Sequence, residues 1–198
     1  MLRDVGTRVL LLRHGQTDWN HSRRFQGRAD VPLNEAGVEQ AKAARTRLEG
    51  FVFDAVYSSP LSRALHTARL VRPGEPVLID PRLAEIDVGT WAGLTWDEVA
   101  AQAPEMLERD RPDDFRHSAT GETVAEVTAR VVAAVEEIAQ RHEGGTVLVA
   151  SHGLALTCAL HGLLGLPNGT LGTLGNAHFA ELGLTGERWR LLAHNVDS

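Results

Sequence analysis

Arg8-Val9-Leu10-Leu11-Leu12-Arg13-His14-Gly15 is the stretch on which the fold turns. Val9 to Leu12 is a continuous apolar run between polar residues, as a strand covered on both faces requires, so we expect a central strand. Outward from it, Asn34 is placed to cap a helix from Glu35 to about Leu48, with Val38, Ala41, Ala44 and Leu48 at helical spacing and Gly50 past its end. Ala55 to Ser58 reads as a short strand, Pro60 and Ser62 open a helix through Leu70, and Val77 to Ile79 follows Pro73-Gly74 as a third strand. Thr95-Trp96-Asp97-Glu98 and Thr123-Val124-Ala125-Glu126 both have the capping-box pattern. The second opens a helix with an apolar stripe of Val124, Val127, Val131, Val135 and Ile138 that ends near Gly144-Gly145. Thr146 to Ala150 is a further buried strand, Leu154 to Leu160 a helix, and His178 to Leu182 with Arg188 to Leu192 a hairpin about Thr185-Gly186.

Repeated strand, helix and strand units predict an α/β fold: a three-layer αβα sandwich, its central sheet mostly parallel with an antiparallel edge. One domain over residues 1–198 is expected, with a covering segment at about 91–121, the least regular part of the chain. In such sheets ligands sit beyond the carboxyl ends of the strands. Three motifs follow strand ends here: Arg13-His14-Gly15, Ser58-Ser59-Pro60 with Arg63, and Ser151-His152-Gly153.

The 198 residues are 43% hydrophobic and 23% charged, with a formal net charge of −6, which disfavours nucleic acid as a partner. Cys158 stands alone, so neither a disulfide framework nor a cysteine-based metal site can be built. No apolar run is long enough for a signal h-region or a membrane span; with the free cysteine, this leads us to expect a cytoplasmic protein that avoids membranes. A second copy of the chain is among the expected partners.

Read from the residues alone, Arg13-His14-Gly15 is either a surface pair or a phosphate grip. In the second case the guanidinium is a fork of donors, the imidazole a nucleophile, and glycine allows close backbone approach. Recurrence of the chemistry at His152-Gly153, where a helix N-terminus presents free N–H groups, favours the grip. Arg63 in isolation reads as a solvated helix arginine. Glu85 sits among Asp80, Arg82 and Asp87, where only its place between Leu83 and Gly89 sets it apart from Asp87. His161-Gly162 near a helix end reads as structural, and no histidine shows metal-ligand spacing, so no metal and no cofactor are expected.

Taken together, Arg13-His14-Gly15 with Thr17 and Asn20, the run Tyr57-Ser58-Ser59-Pro60-Leu61-Ser62-Arg63-Ala64, Leu83-Ala84-Glu85 before Gly89, and Ser151-His152-Gly153 resemble the histidine phosphatase superfamily, of phosphoglycerate-mutase-like fold. The resemblance implies a metal-independent phosphomonoesterase acting on small phosphorylated metabolites. It implies that His14 becomes a phosphohistidine, that Arg13, Arg63 and His152 grip the phosphoryl oxygens, and that Glu85 protonates the leaving group. Asn20 and Gly153 fall at further phosphate-side positions, and His117, in the irregular covering segment, is a further candidate for substrate contact.

The short span between Glu85 and His152 resembles the phosphatase branch, since phosphoglycerate mutases have a larger insertion there. Gly175-Asn176-Ala177 with Arg188-Trp189-Arg190-Leu191 and Asn195 is similar to glucosyl-3-phosphoglycerate phosphatases; broad-specificity phosphatases share the rest. Mutase-type phosphoryl transfer and a non-catalytic phospho-ligand binder are the alternatives. Arg109-Asp110-Arg111-Pro112-Asp113-Asp114-Phe115-Arg116-His117 either reads a second anionic group or is a salt-bridged surface.

Overall fold

The computed structural model describes residues 6–104 and 114–197. Arg109 and Arg111 of the basic stretch, and the middle of the expected covering segment, lie outside the described residues. Among the described residues the chain forms a six-stranded sheet of order β3-β2-β4-β1-β5-β6. Its strands are β1 (Thr7–Arg13), β2 (Ala55–Ser58), β3 (Val77–Ile79), β4 (Thr146–Ser151), β5 (Phe179–Thr185) and β6 (Arg188–Val196). β1 to β4 are mutually parallel where they pair, and β5 and β6 add the antiparallel edge.

β1 is central because it is apolar on both faces: Val9, Leu10, Leu11 and Leu12 are all fully buried. The pleat sends them alternately to two cores. Val9 and Leu11, with Val147 and Val149 of β4, pack on α5 (Val124–Arg141) and α6 (Gly153–Leu164). Leu10 and Leu12, with Leu148 and Ala150, pack on Ala44 and Leu48 of the α2 segment (Glu35–Arg47 and its C-cap) and on Ala68 and Val71 of α3 (Ser62–Val71). The expected three layers follow directly from this alternation.

Caps fix where the helices start. Asn34 accepts from the Gly37 N–H at 2.9 Å to open α2. Thr123 and Glu126 form a reciprocal capping box for α5, and Thr95 and Glu98 do the same for α4 (Trp96–Gln102). α6 runs four residues past the expected Leu160, to Leu164. It is apolar on nearly every side, so periodicity gave no end signal; Gly165 in the left-handed region, φ 64°, terminates it. β6 likewise continues to Val196, which pairs with Phe179. A short helix α1 (Asp18–His21), not anticipated, is closed by a capping box between Thr17 and Asn20.

Register sets the strand ends level. Arg13 pairs with Ser151 across β1 and β4, and Ser58 with Ala150 across β2 and β4. At the opposite end of the sheet Thr7 pairs with Leu184, which puts the β5–β6 turn at Gly186 far from Arg13. Behind the β1 end, α2 presses on the turn so closely that a Cβ on Gly37 would lie 2.0 Å from the Gln16 carbonyl oxygen. A Cβ on Gly15 would lie 2.3 Å from that of Gly37. Only glycine fits at both positions.

Candidate active site

His14 is the first residue past β1, and its backbone is held on both sides. Its N–H donates to Ser151 at 3.0 Å; its carbonyl accepts from the Ala177 N–H and the Asn176 amide, each at 3.1 Å. Ala177 adopts φ 59° to make this turn, a left-handed conformation that an alanine takes only under constraint. The ring is also fixed, because Nδ1 lies 2.6 Å from the Gly15 carbonyl oxygen. A carbonyl only accepts, so Nδ1 carries the proton and Nε2 is left with the lone pair. Burial, then the charges of Arg63 and Arg13, push the His14 pKa well below the ordinary histidine value, which keeps the imidazole neutral.

Three cationic or donor side chains surround that lone pair. Arg63, in the first turn of α3, is fully buried; Nη1 and Nη2 donate to the Ala29 and Gly27 carbonyls, each at 2.8 Å. Arg13 donates through Nη1 to the Leu174 carbonyl at 2.5 Å. Gly153 adjoins it: a Cβ there would meet Arg13 Cζ and Nε at 3.4 Å, an ordinary contact. Burial lowers both guanidinium pKa values from their usual level and Glu85 opposes the shift, yet an arginine stays charged.

His152 is fully buried, and its ring stands edge-on to that of His14 with centroids 5.2 Å apart. Its Nε2 lies 2.7 Å from the Ser59 hydroxyl. Burial first, then Arg63, His14 and Arg13, hold its pKa well below the histidine range. Arg13 Nε, Arg63 Nε and His152 Nδ1 are all buried without a hydrogen-bond partner. Arg13 and Arg63 line the cavity beside His14, and an anion there would complete them, because leaving a buried polar group unpaired costs about 1–3 kcal/mol.

Glu85 is brought to the same cavity by the loop after the turn at Pro81–Leu83. Its carboxylate accepts from Ile86, Leu154 and Ala155 N–H groups at 3.0, 3.2 and 2.9 Å, so it also satisfies free donors at the start of α6. The loop is clamped by Arg130 of α5, which donates to the carbonyls of Arg82, Ala84 and Glu85 and to both oxygens of Glu122. Glu122 in turn accepts from the Asp87 N–H at 2.8 Å. Asp87, the competing carboxylate, turns away to accept from Gly89 N–H at 2.8 Å.

The cavity, of about 190 Å³, is lined by Arg13, His14, Asn20, Arg63, Glu85 and His117 among others. Asn20 caps the turn after β1 through Thr17 and meets Asn176 at 3.3 Å. His117 is buried, its ring 4.5 Å from that of Phe115. Arg116 pairs with Glu126 at 2.9 Å and donates to the Gly121 carbonyl, which is the salt-bridged reading of the basic stretch for this residue. His161 lies in the last turn of α6, as expected, and its Nε2 accepts from Leu171 N–H at 3.0 Å.

Three contributors are not legible in the sequence as individual residues. Ser59 and Asn176 stood inside quoted motifs without a role, though a short polar residue after a strand end was their signal. Arg130 gave no local signal at all, since it occupies the polar side of an amphipathic helix.

Comparison with known proteins identifies the family. The model of the histidine phosphatase superfamily (branch 1) matches residues 9–197. Phosphoserine phosphatase 1 of Hydrogenobacter thermophilus is 36% identical over 163 residues, spanning 79% of this chain and 77% of that protein. A probable phosphoglycerate mutase of Enterobacter is 34% identical over 163 residues, 80% of this chain and 75% of the relative. A solved mycobacterial glucosyl-3-phosphoglycerate phosphatase, complexed with VO3, superposes with a TM-score of 0.84 at 34% identity, covering 96% of this chain and 99% of that one. A family match over almost the whole described sheet, around a strand-end pair of buried histidines and arginines, places the chain in the histidine phosphatase superfamily, branch 1.

Proposed function

We propose that this phosphoric monoester hydrolase cleaves small phosphomonoesters by passing the phosphoryl group through His14. Nε2 attacks phosphorus, the bond from phosphorus to the leaving oxygen breaks, and Glu85 gives that oxygen its proton. Water then attacks the phosphohistidine while Glu85 takes back a proton, and inorganic phosphate leaves with His14 restored. Oε2 of Glu85 accepts only the longer bond from Leu154, so it is the oxygen with room for the proton. Arg13, Arg63 and His152 neutralise charge on the equatorial oxygens, a task for which preorganised donors suffice and for which no metal is invoked.

The observation that carries this reading is the set of three buried nitrogens without a hydrogen-bond partner, Arg13 Nε, Arg63 Nε and His152 Nδ1, on the side chains about His14. Similarity to a phosphoserine phosphatase and to a glucosyl-3-phosphoglycerate phosphatase supports hydrolysis of small metabolite esters and supplies two first substrates to assay. Similarity to a probable phosphoglycerate mutase supports a second reading, in which the phosphoryl group returns to a different hydroxyl.

Rapid quenching of a single turnover into alkali tests the mechanism, because a phosphoramidate survives base and is lost in acid. The expected label maps to His14 and is absent in His14→Ala. A label on His152, or none at all, overturns it. Assaying 3-phosphoglycerate in parallel separates the readings: phosphate release without isomerisation is expected, and isomerisation outpacing release establishes the mutase.

A further inference from the structure

A second cavity, of about 350 Å³, adjoins the first, and Phe25, His117 and Leu154 line both. Beyond these shared walls it is faced by Trp96, Phe115 and Val124. Phe25 and Trp96 stack with centroids 6.0 Å apart and planes at 24°. Trp96, in the first turn of α4, is 42% exposed, an unusual state for so large an apolar side chain. Among the described residues no Asp, Glu, Lys or Arg faces the chamber. Its polar groups include His161, already engaged by Leu171 N–H and held below the histidine range by burial and His194.

We infer that this chamber receives the alcohol portion of the substrate, and that the favoured portion is a hydrocarbon or aromatic group. The inference rests on the phosphatase reading above and narrows its substrate class. With the phosphoryl group gripped at His14, the leaving oxygen lies on the Glu85 side, and Leu154 and Phe25 lead from there into the chamber. The volume is that of an ordinary small-molecule pocket. Among the described residues the chamber offers a carboxylate no ionic partner, whereas a phenyl-sized group gains by burial against Phe25, Trp96 and Phe115.

The test compares 2-phenylethyl phosphate with ethyl phosphate, whose leaving groups are similarly basic and differ in the ring. The expected kcat/KM ratio is about 10- to 100-fold in favour of the phenyl ester, the range that burying one aromatic side chain implies. Trp96→Ala and Val124→Asp are expected to bring the ratio down toward one. The acidic substitution falls in the first turn of α5, where a carboxylate is favourable to the helix, so folding is retained. Titration of the non-hydrolysable 2-phenylethylphosphonate against ethylphosphonate reads the chamber without turnover, and the same preference is expected. Equal rates and equal affinities overturn the inference and leave the phosphatase standing. Phenyl preference among phosphonates without phosphate release from any ester sustains the chamber and overturns the proposed function.

Discussion

His14 and His152 are two imidazoles that the fold holds toward the uncharged form, and the consequence reaches beyond the proposed attack on phosphorus. Both have native pKa values depressed by burial and by Arg63, so in the unfolded chain, where histidine titrates near 6.5, they take up protons more readily than in the native state. The sign is therefore fixed: their contribution to stability is fully present above pH 6.5 and is lost as pH falls below it. His161 shifts in the same direction. Between pH 6.5 and 5.5, each imidazole held neutral makes the unfolding free energy decline by about 1.4 kcal/mol per pH unit at most. The denaturant midpoint of the native chain should fall over this window, and His14→Gln should show a shallower fall. An identical slope in the variant refutes the assignment of neutral His14. Activity should not share the trend through the nucleophile, since protonation of His14 is postponed to lower pH.

Among the elements, α5 does more than cover the sheet. Its capping box and its stripe of Val127, Val131, Val135 and Ile138 were legible, because local hydrogen bonding and helical period are written in adjacent residues. The grip of Arg130 on the Glu85 loop was not, because its partners lie 45 to 48 positions away on a loop without period. A guanidinium is needed there: its fork meets three carbonyls and a carboxylate at once, which a single ammonium cannot span. Arg130→Met leaves Glu122 only Arg28 and the Asp87 N–H, and leaves the carbonyls of Arg82, Ala84 and Glu85 without this donor, which should cost about 1–3 kcal/mol in denaturant titrations. Arg130→Lys should recover little of it. As a positioning residue for Glu85, Arg130 should also change the substrate profile of the folded variant. Hydrolysis of alkyl phosphates, which need a proton on the departing oxygen, should fall about tenfold or more relative to p-nitrophenyl phosphate, as in Glu85→Gln. Equal losses on both esters limit Arg130 to a structural role.

For the molecule as a whole, the apolar run at β1 was enough to predict its layers, because a strand with Val9 to Leu12 all buried needs helices on both faces. The meeting of Arg13-His14, Arg63 and His152 was also legible, since strand ends in a parallel sheet point one way. What stayed hidden was set by distance in sequence, as with the Leu174 carbonyl on Arg13 and the Asn176 amide on His14, or by lack of period, as with the length of the largely apolar α6, whose end Gly165 marks. The same one-way geometry leaves the far rim of the sheet chemically idle. The exposed β5–β6 turn at Thr185 to Arg188 sits on that rim, and Gly186 has open space where a Cβ would be. It is thus a grafting point. A flexible peptide or a small reporter domain spliced after Gly186 should leave phosphate release within about twofold of the parent, since exposed turns tolerate insertion when no buried backbone is disturbed. The same splice between Gly175 and Asn176, in the loop that carries the Asn176 and Ala177 bonds to His14, should abolish it. The enzyme could then be displayed or tethered by its idle rim with the pocket facing outward.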